Sequence, residues 1–188
     1  MSDPFFFGYG SLVNRATHDF PRAAPARVRG WARMWKRTKL RQVAFLTAVE
    51  APGVEIDGLI AAVPNADWAA LDLREHAYHR LPVKEISHAL GALPEIQIYR
   101  TKPENDTDAS TEHPILLSYL DTVIQGYLRE FGTAGAHAFF ATTSGWDTSV
   151  LDDRDAPVYP RAQVLSASER AFVDERLVEI GVRRVQSI

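Results

Sequence analysis

The chain of 188 residues contains no cysteine. That absence excludes disulfides, thiolate nucleophiles and cysteine-ligated metals. Long apolar runs are missing as well: no stretch approaches the ~20 residues needed to span a membrane. Neither sign of charge dominates. With 21 Lys and Arg against 24 Asp and Glu, the formal net charge of −3 gives no general attraction to nucleic acid or to an anionic membrane. The N-terminus has Asp3 and only a short apolar run, so it does not read as a signal peptide, and a cytosolic protein is the expectation. Several nucleotide and hydrolase signatures are absent too. There is no Gly-x-x-x-x-Gly-Lys. Val13 stands where a dinucleotide fingerprint opening at Gly8-x-Gly10 needs its third glycine. Ser11 is not in Gly-x-Ser-x-Gly. The sequence has no internal repeat and no low-complexity tract. What remains is ordinary globular composition, 46% hydrophobic and 24% charged, at a length that suits one domain over residues 1–188 with a real core.

The most distinctive stretch is Phe5-Phe6-Phe7-Gly8-Tyr9-Gly10-Ser11-Leu12. Three consecutive phenylalanines read as a strand buried on both faces. Two glycines around Tyr9 then allow a sharp turn and a close approach of backbone to a partner. Backbone N–H groups of such a loop can themselves be ligands for a small polar or anionic group. The Ser11 hydroxyl adds a donor and an acceptor there. Taken alone, the same residues also fit an ordinary strand-to-helix turn.

Further along, residues 14–25 read as a loop or short helix interrupted by Pro21 and Pro25. Residues 28–42 interleave Trp31 and Trp35 with a run of Arg and Lys, which reads as a strand with a solvated basic face; single-stranded nucleic acid binding is the alternative. Strands are expected over 43–49 and 54–63, divided by a turn at Ala51-Pro52-Gly53. Asn65 is the expected N-cap of a helix running to about His76, with Asp67 in its first turn. Strands at 82–86 and 96–100 precede a polar surface loop over 102–113. Ser110 or Thr111 can cap a long helix from 114 to 131, ended by Gly132, inside which Gly126 implies close packing. An acidic loop over 147–155, a short strand at 162–165 and a last helix complete the chain. That helix opens on the capping box Ser166-Ala167-Ser168-Glu169 and runs to about Ile180. Strands and helices do not alternate regularly, so the expected class is α+β with a curved sheet or small barrel.

Glu75 stands out chemically. Trp68, Leu71 and Glu75 fall at i, i+3 and i+7, on one helix face, and Trp68 and Leu71 make that face the inward one. A carboxylate aimed at the interior has its pKa raised by burial, which suits a general base near neutral pH; a structural ion pair is the competing reading. Glu75, His76 and His79 do not form His-Glu-x-x-His, and Asp147, Asp152, Asp153 and Asp155 do not have EF-hand spacing, so no metal is expected.

Together these segments resemble the γ-glutamylcyclotransferase-like family, which includes the AIG2-like proteins. The resemblance rests on Phe7-Gly8-Tyr9-Gly10-Ser11-Leu12, Gly58-Leu59-Ile60, Leu71-Asp72-x-x-Glu75-x-x-Tyr78-x-Arg80, Tyr119 seven residues ahead of Gly126, and Pro157-x-Tyr159-Pro160-Arg161-Ala162. It implies a small mixed β-barrel flanked by helices. It also implies a reaction without metal or cofactor, in which the α-amine of a γ-glutamyl compound attacks its own γ-carbonyl and releases 5-oxoproline and a free amine. Under the resemblance Glu75 is the general acid/base, the backbone of Tyr9, Gly10, Ser11 and Leu12 holds the substrate, and Tyr119 lines the pocket. The implied partner is a small γ-glutamyl molecule, with no nucleic acid and no membrane. The leaving group stays open among glutathione, γ-glutamyl amino acids, γ-glutamyl-ε-lysine and a γ-glutamyl protecting group. A non-catalytic small-molecule binding or regulatory protein on the same fold is the alternative.

Overall fold

A computed structural model describes residues 3–92, 95–107 and 112–187. The triple phenylalanine forms β1 (Phe5–Gly8), a short strand with no exposed face. It runs antiparallel to β3 (Arg41–Ala62) and parallel to β6 (Ile96–Thr101). The other side of β3 pairs with β2 (Ala24–Thr38), which also carries β5 (Ile86–His88) and the two-residue β8 (Thr143–Ser144). On the far side, β6 pairs with β4 (Tyr78–Pro82). The resulting order is β4-β6-β1-β3-β2-β5. Its two ends, β4 and β5, are neighbours in sequence. Only residues 83–85 separate them, a link that spans at most ~14 Å. The sheet must therefore curl to bring its two edges near each other, in line with the expectation of a small barrel. A second, three-stranded sheet orders β10 (Arg184–Val185), β9 (Val150–Leu151) and β7 (Ile115–Leu116). Among the described residues no helix is long and apolar enough to cross a membrane.

Alternation along β1 divides its phenylalanines between two cores. Phe5 and Phe7 enter the main core with Leu46, Ile60, Ile98, Leu120, Val123 and Tyr127. Phe6 enters a smaller one with Leu12, Val63, Leu71 and Tyr99. Each fully buried phenylalanine contributes about 1.5–3 kcal/mol. Leu71 belongs to α1 (Ala69–Arg74), so the smaller core is what seats this helix. Six residues cannot hold a helix in water unaided, and packing has to supply the stability.

The structure corrects several local expectations. Residues 43–49 and 54–63 belong to one strand, β3, because Ala51-Pro52-Gly53 is absorbed in a bulge where the register against β2 shifts between Arg29 and Trp31. The basic face of β2 is not simply solvated. Arg27 pairs with Asp57 and Lys36 with Asp106, while Trp31 and Trp35 are buried. Arg33 is buried as well, between the Tyr127 and Phe139 rings, and donates to the Asp57 carbonyl and to the hydroxyls of Tyr127, Thr142 and Thr143. Asn65 is not an N-cap: it has φ 56° within a tight turn, and the Asp67 carboxylate accepts from the Ala69 amide instead (3.1 Å). Residues 83–85 are the connector, not a strand centre, and no strand forms at 162–165, where the backbone has no partner strand and Val164 is exposed.

The long helix α2 (Leu117–Ala141) starts three residues later than expected and is broken, not ended, at Gly132 (φ 65°, ψ −170°). The suggested caps Ser110 and Thr111 lie outside the described residues. The capping oxygen comes from Asp153, whose carboxylate accepts from the Ser118 amide (2.8 Å), the Ser118 hydroxyl (2.5 Å) and the Val158 amide (2.9 Å). The acidic loop is thus partly structural: Asp153 is buried, and Asp152 pairs with Arg184. Gly126 packs where a Cβ would lie 2.7 Å from the Asn14 nitrogen, in line with the close packing expected of it. The capping box at Ser166 and Glu169 is formed and opens α3 (Ala167–Glu179). Replacing Asp153 with Ala leaves three donors without their acceptor. A loss of about 2–4 kcal/mol in urea-unfolding free energy is expected, with a smaller loss for Asp153→Asn.

Candidate functional site

After Gly8 the chain turns into one 3-10 turn, Ser11–Val13. The carbonyls of this loop are drawn into the protein. That of Tyr9 lies 2.9 Å from the Tyr127 hydroxyl. That of Ser11 accepts from Thr17 Oγ1 (2.9 Å) and from the Asn14 amide (3.0 Å). That of Leu12 meets His18 Nε2 at 3.0 Å, while His18 Nδ1 accepts from the Phe20 amide. Burial lowers the His18 pKa, which keeps the ring neutral in this role. With the carbonyls tied back, the amides point the other way. Among the described residues those of Gly10, Ser11 and Leu12 make no backbone hydrogen bond. At Gly10 a Cβ would stand 2.5 Å from the Tyr119 hydroxyl, so a side chain there would close the gap between loop and α2. The Tyr9 side chain turns inward and donates to the Tyr99 carbonyl (2.6 Å), which leaves its backbone as the part facing the pocket.

Glu75 follows the last residue of α1 and is its C-cap; the helix ends there, not at His76. Leu71 is buried as the spacing required, and the Glu75 side chain is 16% exposed. The helix is braced by Asp72, which takes Arg80 in a two-point pair (2.9 and 3.1 Å) and the Tyr99 hydroxyl (2.6 Å). The adjacent Arg74 joins helix to loop. Its guanidinium lies 3.2 Å from the Glu75 carboxylate and donates to the Thr17 carbonyl (2.8 Å) and the Ser11 hydroxyl (3.2 Å).

One pocket therefore gathers Tyr9, Gly10, Ser11, Leu12, Glu75 and Tyr119, all the residues singled out in the sequence. Phe7, Gly8, Leu46, Tyr78 and Tyr99 complete its wall. A cavity of about 180 Å³ continues from it and adds Arg41, Arg74, Tyr159 and Arg161. Tyr78 and Tyr159 stood in the quoted motifs, but no chemistry was assigned to them. Arg41 was read only as part of the basic run over 28–42; it opens β3 and lines the cavity. Glu75, His76 and His79 do not come together as a metal site: among the described residues no three His, Asp or Glu side chains do so.

Burial raises the Glu75 pKa, and the charges of Arg74, Arg161 and His76 oppose the rise. Burial likewise holds Tyr78 and Tyr119 well above the usual tyrosine value, so both keep their protons. The Tyr119 ring is fixed edge-on against Trp35 and Tyr159, at 5.9 and 5.0 Å between centroids. The site thus offers a single carboxylate poised to bind a proton, facing a row of amide donors and neutral phenols.

The family model for gamma-glutamyl cyclotransferase, AIG2-like, matches residues 6–118, and the chain belongs to that family. No curated protein matches the sequence. Solved structures share the fold at low identity. A gamma-glutamyl cyclotransferase is 17% identical over 91% of this chain and 98% of that one, with a TM-score of 0.57. The uncharacterized protein loc79017 from Homo sapiens is 18% identical over 90% and 97%, with a TM-score of 0.55. YkqA from Bacillus subtilis gives 14%, 77% of this chain, 57% of its own and a TM-score of 0.59.

The raised pKa of Glu75 carries a stability signature. A carboxylate with a higher pKa folded than unfolded makes the protein less stable as pH rises from its unfolded value, about 4.3, through the folded one. Glu75→Gln removes that cost. Thermal melts across pH should show the variant more stable than wild type at pH 8 and no more stable below pH ~4.

Proposed function

We propose that the protein is a γ-glutamylcyclotransferase-type enzyme, acting as one domain over residues 1–188 on a small γ-glutamyl compound. The observation that carries this reading is the inward Glu75 in one pocket with the amides of Gly10, Ser11 and Leu12. The substrate's α-carboxylate binds those amides, with the Ser11 hydroxyl beside it. Its α-amine is then directed toward its own γ-carbonyl. Fixing the two groups at near-attack distance supplies several kcal/mol of the barrier.

Glu75 takes a proton from the α-ammonium. The freed amine attacks the γ-carbonyl carbon and a ring C–N bond forms. The old amide C–N bond breaks as Glu75 returns that proton to the departing nitrogen; Glu75 then takes the ring nitrogen's second proton and passes it to the freed amine, which leaves as an ammonium. The products are 5-oxoproline and a free amine, with no net change in protons on the enzyme. A base with a raised pKa is a better proton acceptor, and in its protonated form it remains a competent acid. Tyr78 and Tyr119 stay protonated beside it as hydrogen-bonding phenols.

The test is 5-oxoproline release from a panel of γ-glutamyl compounds. Glu75→Gln is expected to lower kcat by ~10²–10⁴-fold. Wild-type product from no member of the panel, together with ligand-induced stabilisation by the same compounds, would support the non-catalytic binding protein instead.

The pH profile supplies an independent check. Glu75 must be ionised to act as the base, so kcat/KM should fall as pH drops through its raised pKa. Arg74 opposes that rise. In Arg74→Gln the acid limb should therefore move to higher pH, a displacement that mere loss of stability does not produce.

A further inference from the structure

Arg33 is a buried charge that the proposed reaction does not use. It is 1% exposed, and among the described residues no carboxylate lies within ion-pair distance of it; the Asp57 carboxylate goes to Arg27 instead (2.7 Å). Its guanidinium is fixed from behind. The Thr142 and Thr143 hydroxyls accept from Nη2 and Nε (2.6 and 3.2 Å) and send their own protons to the Ala138 and Phe139 carbonyls. Nη1 is thereby aimed at the other side, where it donates to the Tyr127 hydroxyl and to the Asp57 carbonyl, each at 2.9 Å. Building on the cyclisation reading, we propose that Arg33 is a positioning residue: acting through the Tyr127 hydroxyl, it locks the Tyr9–Gly10 peptide so that the Gly10 amide faces the substrate's carboxylate.

The Tyr127 hydroxyl has one proton and two carbonyls in reach, those of Tyr9 (2.9 Å) and Asp57 (2.8 Å). The Tyr127 hydroxyl oxygen, the Asp57 carbonyl oxygen and Arg33 Nη1 form a near-equilateral triangle. A hydroxyl's lone pairs and its O–H bond diverge too widely to serve two corners of such a triangle at once. With a lone pair turned to Arg33, the O–H turns away from Asp57 and toward Tyr9. Arg33 meanwhile supplies the Asp57 carbonyl. Burial pushes the Tyr127 pKa up to about 12 against the pull of the Arg33 cation, and that pull strengthens the hydroxyl as a donor.

In a planar trans peptide the carbonyl and the following N–H point to opposite sides. Pinning the Tyr9 carbonyl therefore aims the Gly10 amide into the pocket. The lock is needed because a glycine on each side of Tyr9 lets that peptide turn over at little steric cost. The next two carbonyls need no such device: those of Gly10 and Ser11 are held by amides of the same turn, Val13 and Asn14 (2.9 and 3.0 Å).

The test is a double-mutant cycle on the full chain, run with the γ-glutamyl compound of the panel that is turned over fastest. Tyr127→Phe keeps the ring and should raise KM about tenfold, the scale of one hydrogen bond to a charged group. Its kcat should change by less than ~threefold, because the carboxylate is held alike in ground and transition states. Arg33→Met should raise KM in the same way, and the double variant should match Tyr127→Phe alone. Effects that multiply in the double variant, as independent losses of packing do, overturn the proposal, and so does an unchanged KM in Tyr127→Phe. If Arg33→Met does not fold, Arg33→Lys, which keeps the charge without the planar fork, takes its place. Amide nitrogen NMR of the ligand-free protein supplies a second readout. A hydrogen bond accepted by a carbonyl deshields the nitrogen bonded to it, so the Gly10 nitrogen should move upfield in each single variant and no further in the double one. If no panel compound yields 5-oxoproline, the cyclisation reading fails separately. The Gly10 resonance then decides: the upfield shift supports the lock, and an unmoved resonance overturns it.

Discussion

The whole molecule hangs on a strand of four residues that has no outside. β1 sits between an antiparallel and a parallel neighbour, so both its edges are hydrogen-bonded, and its phenylalanines alternate into two separate cores. Nothing on it tolerates a polar side chain or a shift of register, because a slip of one residue would exchange the two cores. The loop that follows inherits this fixity. So does α1, which docks through Leu71 on the Phe6 side of the same strand. The amides and the carboxylate that face each other are thus held from one origin, one from its end and one from its flank.

Within that frame the electrostatics are set by competition. Desolvation pushes Glu75 toward its neutral form, and the cations of Arg74 and Arg161 pull it back. The net result is a carboxylate with a raised pKa, the property asked of a general base in the proposed reaction. The phenols around it keep their protons, because burial first, and then the neighbouring Glu75 and tyrosines, hold their ionisation well above the usual tyrosine value. Arg33 follows a different rule: buried without an acid partner, it keeps its donors occupied by neutral oxygens and aromatic faces.

What could be read from the sequence was short-range and periodic. Phe5 to Gly8 announced a strand without an exposed face, Leu71 announced the direction of Glu75, and Ser166 with Glu169 announced a helix start. Each signal lies within one or two turns of chain. What could not be read depended on distant partners. Pro52 and Gly53 looked like a reversal because the bulge that absorbs them is defined only by the opposing strand. The start of α2 carried no local cap because its acceptor is Asp153, 35 residues away. Arg33 looked like one basic surface residue among several, since nothing local says that Tyr127, Thr142 and Thr143 will gather around it. The cationic side of the cavity was hidden for the same reason: Arg41 and Arg161 are far apart in sequence and converge only once the barrel is closed.

The cap on α2 also separates two lengths that are easily taken for one. The family match stops at residue 118, while the carboxylate that anchors the start of α2 at Ser118 lies beyond it, as do Tyr119, Tyr159 and Arg161. The stretch that marks kinship and the stretch that completes the cavity therefore do not coincide. A chimera spliced at that boundary would take the loop and Glu75 from one parent and the far wall of the cavity from the other. Divergence after residue 118 can in this way change what the cavity admits while the loop and Glu75 stay as they are.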